Sequence, residues 1–188
     1  MASIVQSESI PVYRTQPDKG ITIPAYRFLC TTQLSSGPCY AGPAMRIVID
    51  TNVLIAALTR TRGTSARIVN AWLDGRIEVV ASEATIREAE LVLGGGWLSR
   101  MAPGGTVESL LDQLRTRTVR VGAPPPIADL RLKDEGDRRL VEAAVGGGAS
   151  HIVTTDREFL RARGYAGVEF VTPTEFVKRV GEASDTNL

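Results

Sequence analysis

Residues 46–58 read RIVIDTNVLIAAL, and this stretch decides the fold. Arg46 to Asp50 holds Ile47, Val48 and Ile49 side by side, a short β-branched run that predicts a strand. Thr51 and Asn52 are helix-starting types, because a short polar side chain can accept a backbone N–H that the first turn leaves unpaired. The apolar VLIAAL that follows predicts a helix. Strand, turn and helix in so few residues open an α/β unit.

Working downstream, the same alternation continues. Thr64 to Asp74 has apolar residues at 66, 68, 69, 72 and 73 and a glycine stop at Gly75, which predicts a helix, and Ile77 to Ala81 is the next strand. Ser82 caps a helix through about Leu93, closed by Gly94, Gly95 and Gly96. Val107 to Arg117 is amphipathic, and Thr118 to Val121 is a short strand before Pro124, Pro125 and Pro126. A helix over Asp137 to Val145, a strand over His151 to Thr154, a helix over Arg157 to Arg163 and a strand over Val168 to Val171 follow. Pro173 suits a first helical turn and opens a last helix near Thr174 to Val180. No internal repeat is visible. Strands separated by helices predict a three-layer α/β/α sandwich around a mostly parallel sheet of four to five strands.

Upstream, the chain changes character. Residues 1–44 carry five of the ten prolines, both cysteines and three of the four tyrosines, but only five charges, and show neither the helical nor the strand period. They are expected to be a poorly ordered extension, or a stretch ahead of a true start at Met45. The expected division is 1–44 extension, 45–182 folded domain and 183–188 flexible tail.

Composition narrows the chemistry. The chain of 188 residues is 43% hydrophobic and 23% charged, enough apolar material for one core without staples. With 22 basic and 21 acidic residues it has no global field to draw it onto nucleic acid or an anionic membrane, so any such contact needs a local patch. Its apolar runs, such as Val53 to Leu58, fall far short of the ~20 residues of a membrane span, and no signal peptide pattern opens the chain, which reads as cytoplasmic. One histidine, His151, and two cysteines, Cys30 and Cys39, disfavour a His/Cys zinc site and nucleophile systems that need histidine; the cysteines read as free thiols. Chemistry falls to carboxylates.

In a parallel sheet, ligands bind outside the carboxyl ends of the strands. Asp50 ends the first strand there, and Asp156 follows HIVT after one residue. Each also has a plainer role as a helix cap. Asp134, Glu135 and Asp137 crowd another helix start, where acids suit the positive end of the helix dipole. Asp137, one turn before Leu140 of the buried stripe, lies on the inward side, while Glu135 points to water. Glu88 borders the stripe Ile86, Ala89, Val92 and Leu93 of its helix, or is simply a solvated helical acid.

The segments MRIVIDTNVLIAAL, SEATIREAELVL, DEGDRRLVEAAV and HIVTTDREFL, in this order over about residues 45–181, resemble the PIN-domain ribonuclease family, and within it the subgroup of toxins from toxin–antitoxin pairs related to VapC. The resemblance implies a PIN-like fold and places the family's four acids on Asp50, Glu88, Asp137 and Asp156, with Asn52 and Thr154 as supporting polar residues and Asp134 as an additional acid. Thr155 and Gly146 to Gly148 replace less uniform positions, and residues 1–44 have no counterpart. Several converged carboxylates either hold protons or bind a hard divalent cation, here Mg²⁺ or Mn²⁺.

The implied activity is metal-dependent endoribonucleolytic hydrolysis giving a 5′ phosphate and a 3′ hydroxyl. Asp50, Asp137, Asp156 and Glu88 are its expected metal ligands and catalytic acids. RNA is the expected substrate, with an antitoxin protein and a second copy of the chain as candidate partners and no membrane. Arg60, Arg62, Arg138, Arg139 and Arg157 are candidate contacts to the RNA backbone, or solvated helix residues. Two other classes remain in view: a non-catalytic RNA-binding or complex-forming PIN-like domain, and a phosphatase using Asp50, against which Asn52 stands where that chemistry usually has a second aspartate.

Overall fold

The computed structural model describes residues 45–102, 104–127, 132 and 134–185; the expected extension 1–44, with Cys30 and Cys39, and the last three residues of the expected tail lie outside them. In chain order the elements are β1 (Met45–Ile49), α1 (Thr51–Thr59), α2 (Thr64–Leu73), β2 (Ile77–Ser82), α3 (Glu83–Leu93), α4 (Leu98–Met101), α5 (Thr106–Arg117) and β3 (Val119–Val121), then α6 (Glu135–Gly146), β4 (His151–Val153), α7 (Arg157–Ala162), β5 (Gly164–Tyr165), β6 (Val168–Val171) and α8 (Pro173–Asp185).

The strands form one sheet in the order β3-β2-β1-β4-β6-β5. All neighbours are parallel except β5 with β6. This is the expected three-layer α/β/α sandwich, with six strands instead of four to five because β5 adds a short antiparallel edge.

The alternation of side chains along β1 divides the core. Ile47 and Ile49 pack on one face with Val53 and Leu54 of α1, Ile68 and Trp72 of α2, Leu93 of α3 and Phe176 of α8. Val48 points to the other face with Val80, Ile152, Val141 and Ala144 of α6 and Phe159 of α7. Both faces are buried, which is why the strands read as continuous apolar runs. At the end of α6 the layers approach closely: a β-carbon on Gly147 would stand 2.1 Å from Val80 Cγ1, so only glycine fits there.

Local chemistry sets the helix starts. Ser82 and Thr85 form a reciprocal capping box at α3, and Thr172 and Glu175 exchange the equivalent bonds at α8. Three helices begin on aspartates: Asp50 caps α1, Asp134 caps α6 and Asp156 caps α7. Helix α6 thus starts at Glu135, two residues before the expected Asp137, and α8 runs on to Asp185.

The chain order positions the site. From β1 the chain moves to β2 and β3 on one side, then returns through α6 to β4 on the other. The order reverses between β1 and β4, and a crevice opens beyond the carboxyl ends at such a point.

Candidate active site

Asp50 and Thr154 are the residues that follow β1 and β4, and the register Ile49↔Val153 sets them side by side. The Asp50 backbone N–H donates to the Val153 carbonyl at 3.0 Å, which ties the two strand ends together. Asp50 is 7% exposed and Thr154 is fully buried. The Thr154 hydroxyl donates to Asp50 Oδ2 at 2.5 Å and accepts the Asp156 backbone N–H at 2.9 Å. Asp50 Oδ1 accepts the Asn52 N–H at 3.0 Å. Burial pushes the Asp50 carboxyl up; hydrogen bonds from Thr154 and from the Asn52 backbone and side chain pull it down, and the Asp156 charge adds to the rise.

Asp156 is half-buried and its Oδ1 accepts the Glu158 N–H at 2.5 Å, so it caps α7 while its charge also acts on Asp50 and Asp137. At α6 the division of labour is cleaner. Asp134 Oδ1 takes the Gly136 N–H at 2.8 Å, so the cap of α6 falls to Asp134 and not to Asp137, on which the charges of four other acids act. Its carboxyl is pushed up to about 6, first by burial, then by the charges of Asp156, Asp134, Asp50 and Glu158. Glu135 is exposed and pairs with Arg139 at 3.6 Å.

Glu88 reaches from α3 to the first turn of α6, where a β-carbon on Gly136 would stand 2.6 Å from its Oε1. Its charge is not among those that raise Asp137. Glu158 is the member that sequence reasoning missed. It lies two residues past Asp156 in the first turn of α7, and that spacing was the available signal.

The basic candidates divide. Arg60 closes α1 and Arg62 follows it, so both lie a helix length, roughly 13 Å for nine residues, from Asp50 at the other end. Arg138, Arg139 and Arg157 begin α6 and α7 beside the acids. Arg157 is exposed; Arg138 is half-buried, with its Nε lacking a hydrogen-bond partner. Arg139 also lines a groove of about 290 Å³ with Glu83, Glu135 and Glu142, whose charge suits it poorly to a phosphate backbone.

The crevice therefore gathers Asp50, Asp137 and Asp156 with Asp134 and Glu158 nearby, at the N-termini of α1, α6 and α7, whose partial positive charge offsets part of the repulsion. Among the described residues, no group of three or more His, Cys, Asp or Glu side chains is drawn tightly enough to hold a metal ion as it stands. The donor chemistry nevertheless fits a hard divalent cation: every acid offers oxygen, His151 sits at the opposite end of β4, and the repulsion that adds to the effect of burial on Asp137 is what a cation between these groups would relieve.

A solved structure described as VapBC2 from Rickettsia felis bound to a DNA fragment from their promoter is similar, with 19% identity, 67% of this chain and 97% of that chain covered, and a TM-score of 0.43. No curated protein matches the chain. The PIN domain model matches residues 46–158, more than half of the chain and a span that contains Asp50, Glu88, Asp137 and Asp156. The chain belongs to the PIN-domain family.

Proposed function

We propose that this protein is a divalent-metal-dependent endoribonuclease that acts as the toxin of a toxin–antitoxin pair. The observation that carries the nuclease reading is the gathering of Asp137 with Asp50, Asp156 and Glu158 from separate segments of the chain, at the point where the strand order reverses: burial first, and then the charges of these acids and of Asp134, lift its carboxyl to about 6. Carboxylates that repel one another at the mouth of a crevice are kept at a cost to stability, and a cation is what turns that cost into binding.

Asp50, Asp137 and Asp156 would hold Mg²⁺ or Mn²⁺ directly or through water, with Glu88 as a further ligand or as the group that orients the attacking water. When bound, the ion supplies charge to offset the carboxylates and acidifies water and polarises phosphate at neutral pH. Asn52 and Thr154 orient Asp50 and, through the Asp156 N–H, the start of α7. Water attacks phosphorus, the bond to the 3′ oxygen breaks, and that oxygen leaves as a hydroxyl while the phosphate stays on the 5′ side. Arg138 and Arg157, on the helices that begin beside the acids, are the proposed contacts to the RNA backbone, with Arg60 and Arg62 left for more distant phosphates and Arg139 set apart by its pairing with Glu135.

Asp50 is a poor phosphatase nucleophile, since it is buried and both of its oxygens accept hydrogen bonds. The choice of RNA and the antitoxin partner encoded elsewhere rest on the sequence resemblance. No helix among the described residues is long and apolar enough to cross a membrane. Incubation of the full chain with single-stranded RNA, structured RNA and single-stranded DNA in Mg²⁺ or Mn²⁺ tests the substrate class. Cleavage of RNA alone supports the reading, and cleavage of none of them removes the enzyme.

A further inference from the structure

Gly136 lies in the first turn of α6 between Glu135 and Asp137, and nothing in its own backbone calls for glycine. Its φ is not in the left-handed region, and its N–H donates to Asp134, as any residue other than proline could do. Helices disfavour glycine, because it loses the most conformational freedom on ordering. The space beside it gives the reason. A β-carbon here would stand 2.6 Å from Glu88 Oε1, 3.1 Å from Oε2 and 3.2 Å from the carboxyl carbon, so the Glu88 carboxylate occupies the room that a side chain would take.

We infer that Gly136 is a positioning residue for Glu88: its missing side chain leaves the seat in which that carboxylate rests against the first turn of α6, at the residue before Asp137 in the chain. The inference rests on the reading of these acids as a metal-dependent nuclease centre. A larger residue would not strain α6. It would displace the far end of a flexible side chain, so the damage would fall on the placement of Glu88 and not on the fold. Gly136 thus gives up helix stability for the position of a carboxylate.

The test is a cycle of four full-length proteins: wild type, Gly136→Ala, Glu88→Gln and the double variant. Each is measured for Mn²⁺ affinity by calorimetry, for Tm and for RNA cleavage. Gly136→Ala is expected to melt at or above the wild-type temperature, because alanine favours the helix, while Mn²⁺ affinity and cleavage each fall about tenfold, the low end of losses seen when a supporting residue at a metal site is changed. In the Glu88→Gln background the same change should alter Mn²⁺ affinity less than about twofold, since the group being positioned is already compromised. Wild-type affinity and cleavage in Gly136→Ala would overturn the inference. Equal losses of affinity in both backgrounds would also overturn it, marking a structural role independent of Glu88, and a lowered Tm would point the same way. A wild-type protein that binds no Mn²⁺ and cleaves no RNA would remove the nuclease reading and the inference with it.

Discussion

Thr154 joins two acids that lie far apart in the chain: its buried hydroxyl donates to the Asp50 carboxylate at 2.5 Å and accepts the Asp156 backbone N–H at 2.9 Å. A single side chain thereby couples the end of β1 to the start of α7. Thr154→Val keeps the shape but removes both bonds. It leaves a buried carboxylate with one donor fewer, at a cost of about 1–3 kcal/mol. Because the lost bond held the Asp50 carboxyl down, that group should rise further, and the acid limb of the cleavage profile should move to higher pH. Thr154→Ser should restore both stability and profile. A pH–rate profile of Thr154→Val that coincides with wild type would show that the hydroxyl does not govern Asp50.

Asp137 gives a stability signature with a definite sign. Its folded-state carboxyl stands at about 6 against an ordinary value of 3.8, so between these pH values the folded protein holds a proton that the unfolded chain has released. The metal-free protein should therefore lose stability as pH rises through this window and remain at the lower level above it. A shift of this size is ~3 kcal/mol in a dry site, and solvent around a half-exposed carboxylate reduces it to about 1 kcal/mol. Asp137→Asn should melt with wild type near pH 4 and several degrees higher near pH 7.5, in thermal melts with EDTA. A difference that does not change with pH would contradict the raised Asp137 carboxyl.

Asp134 should behave as a cap. Its carboxylate holds the Gly136 N–H, so Asp134→Ala should cost ~1 kcal/mol, while Asp134→Asn, an almost equivalent cap, should cost little. Denaturant unfolding of the two variants separates these outcomes. Equal destabilisation by both would mean that the charge, and not the cap, carries the effect.

The order of strands and helices was legible because a sheet buried on both faces needs apolar β-branched runs, such as Ile47 to Ile49, punctuated by glycine and capping residues. The choice of Asp137 as the inward acid of the DEGD run was also legible, since helical spacing relates it to Leu140; the allotment of the cap to Asp134 was not, because all three acids suit a helix start. Helix α4 is a single turn after three glycines, too short to show a period. Strand β5 has two residues and exists only through its antiparallel pairing with β6, a contact that no local pattern encodes. Gly136 escaped for the same reason, since it acts through a side chain that reaches it from α3, whereas Glu158 had a local signal in its spacing from Asp156 that an ordinary first-turn acid also shows.

The central claim is that the crevice acids hold a divalent cation and cleave RNA with it. Its most direct measurement is Mn²⁺-dependent RNA cleavage by wild type and Asp137→Asn side by side, with end-group analysis and an EDTA arm. The account predicts wild-type products bearing a 5′ phosphate and a 3′ hydroxyl, no cleavage in EDTA, and at least ~100-fold slower cleavage by Asp137→Asn, as expected when a ligand of a catalytic ion is lost. Full cleavage in EDTA, or wild-type cleavage by Asp137→Asn, would contradict it.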